Sequence, residues 1–305
     1  MPARTDTLLD ELGIRYEAEA DLAEQTWYGV GGRARMLAHP SNIDQLVALT
    51  SRCFEHGVAL RVLGAGANLL VADGGVDGVV VRLDEPFWRR VQAGGTAVTV
   101  GAGHDLMRLV LWTARRGLAG LDVLAGIPAT VGGAVRMNAG GAFGEIGPTV
   151  QSISVMDHAG DIHMRPHDDL HLGYRTSSIA APLILEARLE LRPDDPQKVK
   201  QNVKEVFQHK KASQPLAEHS AGCAFKNPPP EADDKRPRPA GALIDGAGLK
   251  GIRIGGAEIS AIHANFVITH RGCTAGDVLR LIEHVQENVA GRFGVHLERE
   301  VVLWP

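Results

Sequence analysis

Glycine is the residue that most restricts what this chain can fold into. It makes up 36 of the 305 residues, or about 12%, against roughly 7% in an average protein. The glycines form short clusters between runs of Val, Leu and Ile, and dense clusters lie at residues 64–68 and 125–141. Glycine at the end of a strand usually means that another backbone, or a ligand, approaches too closely for a Cβ atom. The clusters therefore predict a large ligand bound along the backbone.

Charge and cysteine content narrow the class of protein. The 32 basic and 36 acidic side chains leave a formal net charge of −4 without a dense Lys/Arg run, so we expect no nucleic-acid partner. Cys53, Cys223 and Cys273 form neither a disulfide framework nor a Cys-x-x-Cys pair, and we expect no metal site. No apolar stretch approaches the ~20 residues of a membrane span, and the first residues lack a signal-peptide core. These features predict a cytoplasmic protein with no membrane contact and no obligate protein partner.

Hydrophobic periodicity predicts the elements between the glycine clusters. Helices are expected over residues 42–56, 105–116 and 275–290, and another helix opens at Asp195-Pro196. Strands are expected over residues 58–63, 76–83, 150–156, 185–191 and 295–303.

Local patterns add three expectations. Ser41 and Asp44 form a capping-box pattern at the start of the first helix. The lysines of the helix that opens at Asp195-Pro196 are typical of a solvated face, although Lys210 or Lys211 could meet a diphosphate. The prolines and charges of residues 228–239 predict a surface loop.

The turn at residues 64–69 matches neither of the common phosphate-binding motifs. Gly64-x-Gly66-x-x-Leu69 lacks the third glycine of a dinucleotide fingerprint and no helix follows it, and the chain has no Gly-Lys-Ser/Thr of a Walker loop. Two interpretations remain: a nest of backbone N–H groups that holds phosphate oxygens, or a tight hairpin that needs glycine for positive φ. The tract at residues 125–141 favours the nest, because so much glycine is costly to order unless a flat, phosphate-bearing ligand fills the volume. Two such clusters favour a dinucleotide, and their spacing does not reveal which one.

Eight sequence blocks in the same chain resemble a known family. They are Tyr-Gly-Val-Gly-Gly at residues 28–32, Leu-Gly-Ala-Gly-Ala-Asn-Leu-Leu at 63–70, the tract at 125–140, Gly-Tyr-Arg-Thr-Ser at 173–177, Ala-Gly-Cys-Ala-Phe-Lys-Asn-Pro at 221–228, Gly-Ala-Gly-Leu-Lys-Gly at 246–251, His-Ala-Asn-Phe at 263–266 and Glu-Arg-Glu-Val at 298–301. One block alone would be weak, but eight in order over nearly the whole chain are highly specific. Together they resemble the UDP-N-acetylenolpyruvoylglucosamine reductase family.

The resemblance implies an α+β, FAD-binding fold of the p-cresol methylhydroxylase type in two subdomains, followed by a C-terminal substrate-binding domain. We draw the boundary near Pro193, which gives an FAD-binding domain at residues 1–193 and a substrate-binding domain at 194–305. The implied reaction uses NADPH to reduce FAD, and the reduced flavin then converts UDP-N-acetylglucosamine enolpyruvate to UDP-N-acetylmuramate. This reaction belongs to peptidoglycan precursor synthesis, and so to cell-wall biogenesis, cell shape and cell division.

The resemblance also implies roles for individual residues. Arg175 and Glu300 would stabilise the enolate that hydride addition leaves on the substrate, and Cys223 would donate the proton. FAD would be held by Gly64, Ala65, Gly66, Ala67, Asn68, Leu69, Gly126, Ile127, Pro128, Thr130, Gly132, Gly133, Asn138 and Gly140. The UDP-sugar would be bound by Tyr174, Lys226, Asn227, His263 and Asn265.

The sequence departs from the commoner family pattern at Cys223, where most relatives carry serine. A thiol with a pKa near ~8.5 is mostly protonated at neutral pH and is a stronger acid than a hydroxyl, so it could give the proton. The alternative for Cys223 is a small buried hydrophobe. Arg175 could be a surface arginine, Glu300 could alternate outward like Glu298, and His263 could be a hydrogen-bonded core histidine.

Two other functions are compatible with the same pattern. The first is an FAD-dependent sugar or alcohol oxidase, although the absence of His and Cys between His56 and His104 argues against a flavin attached covalently there. The second is a non-catalytic protein that senses a nucleotide sugar. The connection from Tyr174 to Cys223 has no room for the tyrosine-bearing segment with which one branch of the family closes over its substrate, so this chain resembles the shorter branch.

Overall fold

The computed structural model describes residues 9–229 and 238–305. Its packing divides the chain into two units that alternate along the sequence. Unit 1 comprises Met1–Ala20, Ala34–Ala65 and Asp77–Lys210, and unit 2 comprises Asp21–Arg33, Gly66–Val76 and Lys211–Pro305. The division into domains at residues 1–193 and 194–305 stays a prediction, because the units are defined by packing and are not continuous in sequence.

Six α-helices lie entirely within the described residues: α1 (Ile43–Glu55), α2 (Leu106–Arg115), α3 (Val131–Arg136), α4 (Pro196–Ser213), α5 (Ala240–Gly246) and α6 (Ala275–Phe293). The strands in the first half are β1 (Arg15–Asp21), β2 (Arg33–His39), β3 (Leu60–Leu63), β4 (Leu69–Val71), β5 (Val76–Arg82), β6 (Val91–Gly94), β7 (Ala97–Gly101), β8 (Leu118–Ala119), β9 (Gly140–Gly141), β10 (Gly144–Glu145) and β11 (Val150–Met156). Those in the second half are β12 (Ile162–Pro166), β13 (Leu183–Glu190), β14 (Arg192–Pro193), β15 (Arg253–Ile254), β16 (Ala257–Ile259), β17 (Val267–Thr269) and β18 (Val302–Trp304). No helix among them is long and apolar enough to span a bilayer.

Unit 1 is built around two sheets. The first has the order β1-β2-β5-β3, with β3 and β5 parallel so that Leu63 lies opposite Arg82. The second has the order β12-β11-β13-β7-β6 and is antiparallel throughout. Helices α1 and α2 bury their apolar stripes against these sheets in one core cluster. Apolar residues three and four apart fall on one helix face, so the amphipathic sequence makes this packing the favourable one.

Unit 2 has its own core around α6, whose six buried apolar residues form the apolar stripe of the helix. The side chain of Thr274 and that of Asp277 close a reciprocal capping box at the start of α6. Asp73, which follows β4, accepts hydrogen bonds from the backbone N–H groups of Ala275 and Gly276 at 2.8 and 2.9 Å. The N-terminus of α6 is thus satisfied by side chains of its own unit.

The structure confirms the predicted long helices and corrects their details. The first helix is capped by Asn42, whose side chain accepts from the backbone N–H of Gln45, and the expected cap at Ser41 is wrong. Ser41 instead donates to the side chain of Gln45. The terminal strand is shorter than expected, because the continuous ladder covers only residues 302–304, which pair in parallel with β4.

Two short elements escaped prediction. The glycine tract contains helix α3, and residues 69–71 form strand β4 rather than a bare connection. Of the predicted surface loop at 228–239, residues 230–237 lie outside the described residues.

Candidate active site

A cavity of about 560 Å³ opens within unit 1. Its walls are formed by the end of β3 and the glycine turn (residues 62–65), the end of β5 (82–84), Arg89, residues 102–105, Arg108, residues 129–130 and 132–133, Arg136, Pro182 and Ile184. Small-molecule and cofactor sites in proteins are typically clefts of ~300–1,000 Å³. The cavity is therefore large enough for a substantial part of a dinucleotide.

The topology explains why the glycine turn reaches this cavity. Because β3 and β5 are parallel neighbours, their carboxyl ends lie at one edge of the sheet, and residues 64–65 leave that edge beside Leu83. The start of α3 closes the other side. The backbone N–H of Val131 donates to the carbonyl of His104, and the Thr130 hydroxyl caps the helix by accepting from the N–H of Gly133 at 3.2 Å.

Part of the glycine content is explained by the chain itself rather than by a ligand. A Cβ at Gly103 would lie 1.7 Å from the carbonyl oxygen of Leu83, and one at Gly132 would lie 2.9 Å from the Cβ of Ala102. At Gly132 the expectation that ligand volume replaces the side chain is therefore wrong. Gly133 differs, because a Cβ there would meet only the Thr130 hydroxyl, at 3.4 Å.

The cavity wall is cationic. It carries Arg82, Arg89, Arg108 and Arg136 against two aspartates, of which Asp84 lies 3.8 Å from Arg82. Arg136 is held by the carbonyls of residues 179, 181 and 182, and burial lowers its pKa without bringing a guanidinium near neutrality. A wall with more guanidinium than carboxylate groups is complementary to a diphosphate. Size, backbone lining and charge thus fit FAD.

These arginines were missed in the sequence. Arg82 is the last residue of β5, Arg89 is the last residue of a short 3-10 helix (Pro86–Arg89), and Arg108 lies on the first turn of α2. Only Arg136 had a usable signal, since it lies inside the glycine tract that resembles the family.

The predicted FAD contacts divide between the units. Gly64, Ala65, Thr130, Gly132 and Gly133 line the cavity. Five others belong to unit 1 but lie outside the cavity lining: Gly126, Ile127, Pro128, Asn138 and Gly140. The remaining four belong to unit 2: Gly66, Ala67, Asn68 and Leu69. Their roles toward FAD stay predictions. Among the described residues, His, Cys, Asp and Glu nowhere form a group of three that could hold a metal ion.

Lys210 does not lie on a solvated face, as its helix pattern suggested. Its side chain is buried and its ammonium donates to the carbonyl oxygen of Ala125 at 2.7 Å. A Cβ at Gly126 would lie 3.3 Å from its Cδ, so the lysine packs along the start of the glycine tract. Burial, and to a smaller extent the charge of Arg175, lower the pKa of Lys210 to about 8.

This lowered pKa predicts a pH-dependent stability. Below pH 8 the ammonium is protonated in both states and the fold carries the full cost of burying it. Above pH 8 the folded state loses the proton first, so the free energy of unfolding rises until the unfolded lysine titrates near pH ~10.4. Between pH 7 and pH 10 we expect wild type to gain about 2 kcal/mol relative to Lys210→Met in urea unfolding. Parallel pH dependences of the two proteins would contradict a buried, charged Lys210.

Arg175 lies on a tight turn of unit 1. Gly173 and Thr176 exchange backbone hydrogen bonds across it, and Arg175 adopts a left-handed φ of 54°. Asn138 is fully buried and fixes this turn, because its amide donates to the carbonyl of Gly173 at 3.0 Å. Tyr174 is exposed, and the guanidinium carbon of Arg175 lies 5.2 Å from its ring centroid. The Asn138 amide thus supports the Arg175 turn.

Cys223 and Glu300 come together in unit 2. Cys223 is half-buried and forms an isolated bridge with Phe266, while the backbone N–H of Glu300 donates to the carbonyl of Ala224 at 2.8 Å. Asn265 clamps this arrangement, because its buried side chain bonds both the N–H and the carbonyl of Phe225, at 3.0 and 2.8 Å. The structure therefore brings two of the three predicted catalytic residues onto adjoining backbone segments.

The other predicted substrate residues also have partners in the protein. The ammonium of Lys226 lies 2.6 Å from the carboxylate of Glu298, and the side chain of Asn227 accepts from the N–H of Ala240 at 3.0 Å. The ring of His263 accepts from the N–H of Asn265 at 3.2 Å, and burial lowers its pKa. At neutral pH this histidine is therefore an uncharged acceptor.

Comparison with known proteins covers nearly the whole chain. Residues 34–164 match the FAD binding domain family, and residues 214–304 match the C-terminal domain family of UDP-N-acetylenolpyruvoylglucosamine reductase. The protein of that name from Desulfosudis oleivorans is 40% identical over 302 residues, which cover 95% of this chain and 94% of the relative. Its namesake from Moorella thermoacetica is 40% identical over 284 residues, covering 93% and 91%.

A solved structure agrees with these matches. The crystal structure of UDP-N-acetylenolpyruvylglucosamine reductase from Thermus caldophilus superimposes with a TM-score of 0.80 at 38% identity, covering 96% of this chain and 99% of that chain. The predicted α+β fold, with its FAD-binding region and C-terminal region, is confirmed. The chain belongs to the UDP-N-acetylenolpyruvoylglucosamine reductase family, as the order of its sequence blocks indicates.

Proposed function

We propose that this protein is the FAD-dependent reductase that converts UDP-N-acetylglucosamine enolpyruvate to UDP-N-acetylmuramate, with NADPH as the electron donor. The observation that carries the proposal is the cationic, glycine-lined cavity of unit 1, in a chain 40% identical to relatives of that name over nearly its full length. The product is a peptidoglycan precursor, so the protein serves cell-wall synthesis in the cytoplasm, and through it cell shape and division.

The substrate determines which groups are needed. Its alkene is conjugated to a carboxylate, so a hydride added to the outer carbon leaves negative charge spread over the inner carbon and that carboxylate. The site must then offer hydrogen-bond donors or cations to the carboxylate and a proton to the inner carbon. When bound, FAD supplies the hydride transfer that links NADPH to the alkene.

Arg175 and Glu300 take the first task in this proposal. The half-buried guanidinium of Arg175 is a permanent cation that can donate two hydrogen bonds to a carboxylate. Glu300 can help an anion only in its protonated form, since an ionised carboxylate accepts hydrogen bonds and does not donate them. The predicted pair is therefore one cation and one neutral acid.

Cys223 takes the second task. The S–H bond breaks as the proton moves to the inner carbon, and the electron pair stays on sulfur as a thiolate. A thiol suits this step because its ordinary pKa lies nearer neutrality than that of a hydroxyl. The clamp formed by Asn265 supports the role, since it fixes the backbone two residues away.

The proposed contacts to the UDP-sugar are Tyr174, Lys226, Asn227 and His263, and Asn265 is proposed to support them. Lys226 is suited to a diphosphate because it can leave the largely exposed carboxylate of Glu298 for a phosphate at small cost. Asn265 acts through Phe225 rather than directly, as both polar atoms of its side chain are already used.

The proposal is tested by incubating the protein anaerobically with NADPH and the enolpyruvyl substrate and identifying the product by mass spectrometry. We expect a product with two more hydrogens, one NADPH consumed per product, and no reaction with UDP-N-acetylglucosamine in place of the substrate. No reduction of the substrate by NADPH, with oxygen consumed only when a hydroxylated sugar or alcohol is supplied, would contradict the proposal and favour an oxidase.

A further inference from the structure

Tyr28 carries a polar group that the proposed chemistry has not used. The side chain is only 1% exposed, and its hydroxyl has no hydrogen-bond partner among the described residues. A buried hydroxyl without a partner costs free energy, because it gives up hydrogen bonds to water and gains none in return. A phenylalanine would fill the same volume without that cost, so the hydroxyl calls for an explanation.

The backbone places Tyr28 beside the Cys223 segment. Tyr28 packs in the same core cluster as Ala221 and Ala224, which enclose Gly222 and Cys223 in the sequence. The hydroxyl of Thr269 donates to the carbonyl of Tyr28, and Thr269 ends β17. The residue before that strand, Phe266, forms the bridge with Cys223. The segment at residues 266–269 of unit 2 thus contacts the backbone of both residues.

The electrostatic surroundings of Tyr28 agree with this placement. Burial is the main reason that the pKa of Tyr28 is raised far above its ordinary value, and negative charge on Cys223 and on Cys273 adds to the effect. The phenol therefore keeps its proton at all working pH values and remains a hydrogen-bond donor. Burial raises the pKa of Cys273 to about 11, so that thiol stays neutral. In the proposed mechanism, charge develops on the sulfur of Cys223, because Cys223 gives its proton to the substrate.

We infer that the hydroxyl of Tyr28, which has no partner among the described residues of the resting protein, turns to donate a hydrogen bond to the sulfur of Cys223 once Cys223 has given up its proton, and so stabilises the thiolate. Tyr28 is thus a positioning residue that acts through Cys223 and does not touch the substrate. The inference rests on the proposed function for its purpose, but the hydrogen bond itself can be measured without turnover.

The test compares wild type with Tyr28→Phe, which removes only the hydroxyl. The rate of alkylation of Cys223 by iodoacetamide is followed across pH, with each cysteine resolved by peptide mass spectrometry. A hydrogen bond to a charged acceptor should change the thiolate-to-thiol ratio about tenfold or more. We therefore expect the midpoint of the Cys223 alkylation profile to rise by about one pH unit. Tyr16→Phe, the same change in unit 1 where the hydroxyl bonds Asp10, should leave that midpoint unchanged.

Two results would overturn the inference. The first is an unchanged Cys223 profile in Tyr28→Phe, and the second is a shift confined to Cys273. A merely structural role is detected by the melting temperature, which we expect not to fall in Tyr28→Phe because a buried unpaired hydroxyl is removed. Failure of the proposed function can be told apart from failure of this inference. It would appear as normal turnover by Cys223→Ala, and that result does not depend on the alkylation profile of Tyr28→Phe.

Discussion

Replacing Cys223 by alanine is expected to lower the rate of substrate reduction by about 10²–10⁴-fold, the usual contribution of a general acid. Bound flavin should still be reduced by NADPH at the wild-type rate, because that step needs no proton from Cys223. Cys223→Ser should stay active, since a hydroxyl at the same backbone position can also deliver a proton. Rapid mixing under anaerobic conditions separates the two half-reactions through the visible absorbance of the flavin.

Cys273→Ala is the matched control for this prediction. Cys273 is a second half-buried cysteine of unit 2, and it has no part in the proposed mechanism. We expect both half-reactions of Cys273→Ala to match wild type. Normal substrate reduction by Cys223→Ala would show that Cys223 only fills space, and the proton donor would then have to be sought among other groups.

Filling the cavity of unit 1 is expected to weaken binding of the cofactor while leaving the fold intact. Gly133 lines the cavity within α3, and a Cβ there has room beside Thr130. The remainder of a leucine side chain would therefore project into the space proposed for FAD. Leucine is also a better helix former than glycine by about 1 kcal/mol, so Gly133→Leu should fold. Overpacking costs ~1–3 kcal/mol, and we expect affinity for FAD to fall by about 10–100-fold.

Gly291→Leu provides the same chemical change without the cavity. Gly291 lies in the exposed part of α6, and no atom lies within 4 Å of the position its Cβ would take. The ratio of visible to ultraviolet absorbance and a titration with FAD measure binding in both variants. Equal affinity of Gly133→Leu and Gly291→Leu for FAD would place the cofactor elsewhere.

Several elements could be predicted because their signals are local. Thr274 and Asp277 predict the N-terminal cap of α6, which the structure contains. Asp105 marks the start of α2, where its side chain accepts a hydrogen bond from the N–H of Arg108. Where two neighbouring residues can both cap a helix, the sequence alone does not decide which of them does so. Asn42 prevails over Ser41 because its side chain reaches the N–H of Gln45, three residues into the helix.

Other features depend on contacts between distant segments and have no local signal. Lys210 has the sequence surroundings of a solvated lysine, and only the approach of Ala125 explains its burial. Gly132 is required by Ala102, which is thirty residues away in the sequence. The arginines of the cavity meet only when the ends of β3 and β5 and the start of α3 come together. Hydrophobic periodicity is a local signal and does not predict contacts between distant segments. The eight family blocks indicated the fold because they are spread over nearly the whole chain.

The most direct test follows the visible absorption of the purified protein without oxygen. The account predicts a yellow protein whose visible flavin absorbance is bleached by one equivalent of NADPH and restored by one equivalent of the enolpyruvyl substrate. A colourless protein that cannot be loaded with FAD would contradict the account, as would a bleached protein that the substrate fails to reoxidise.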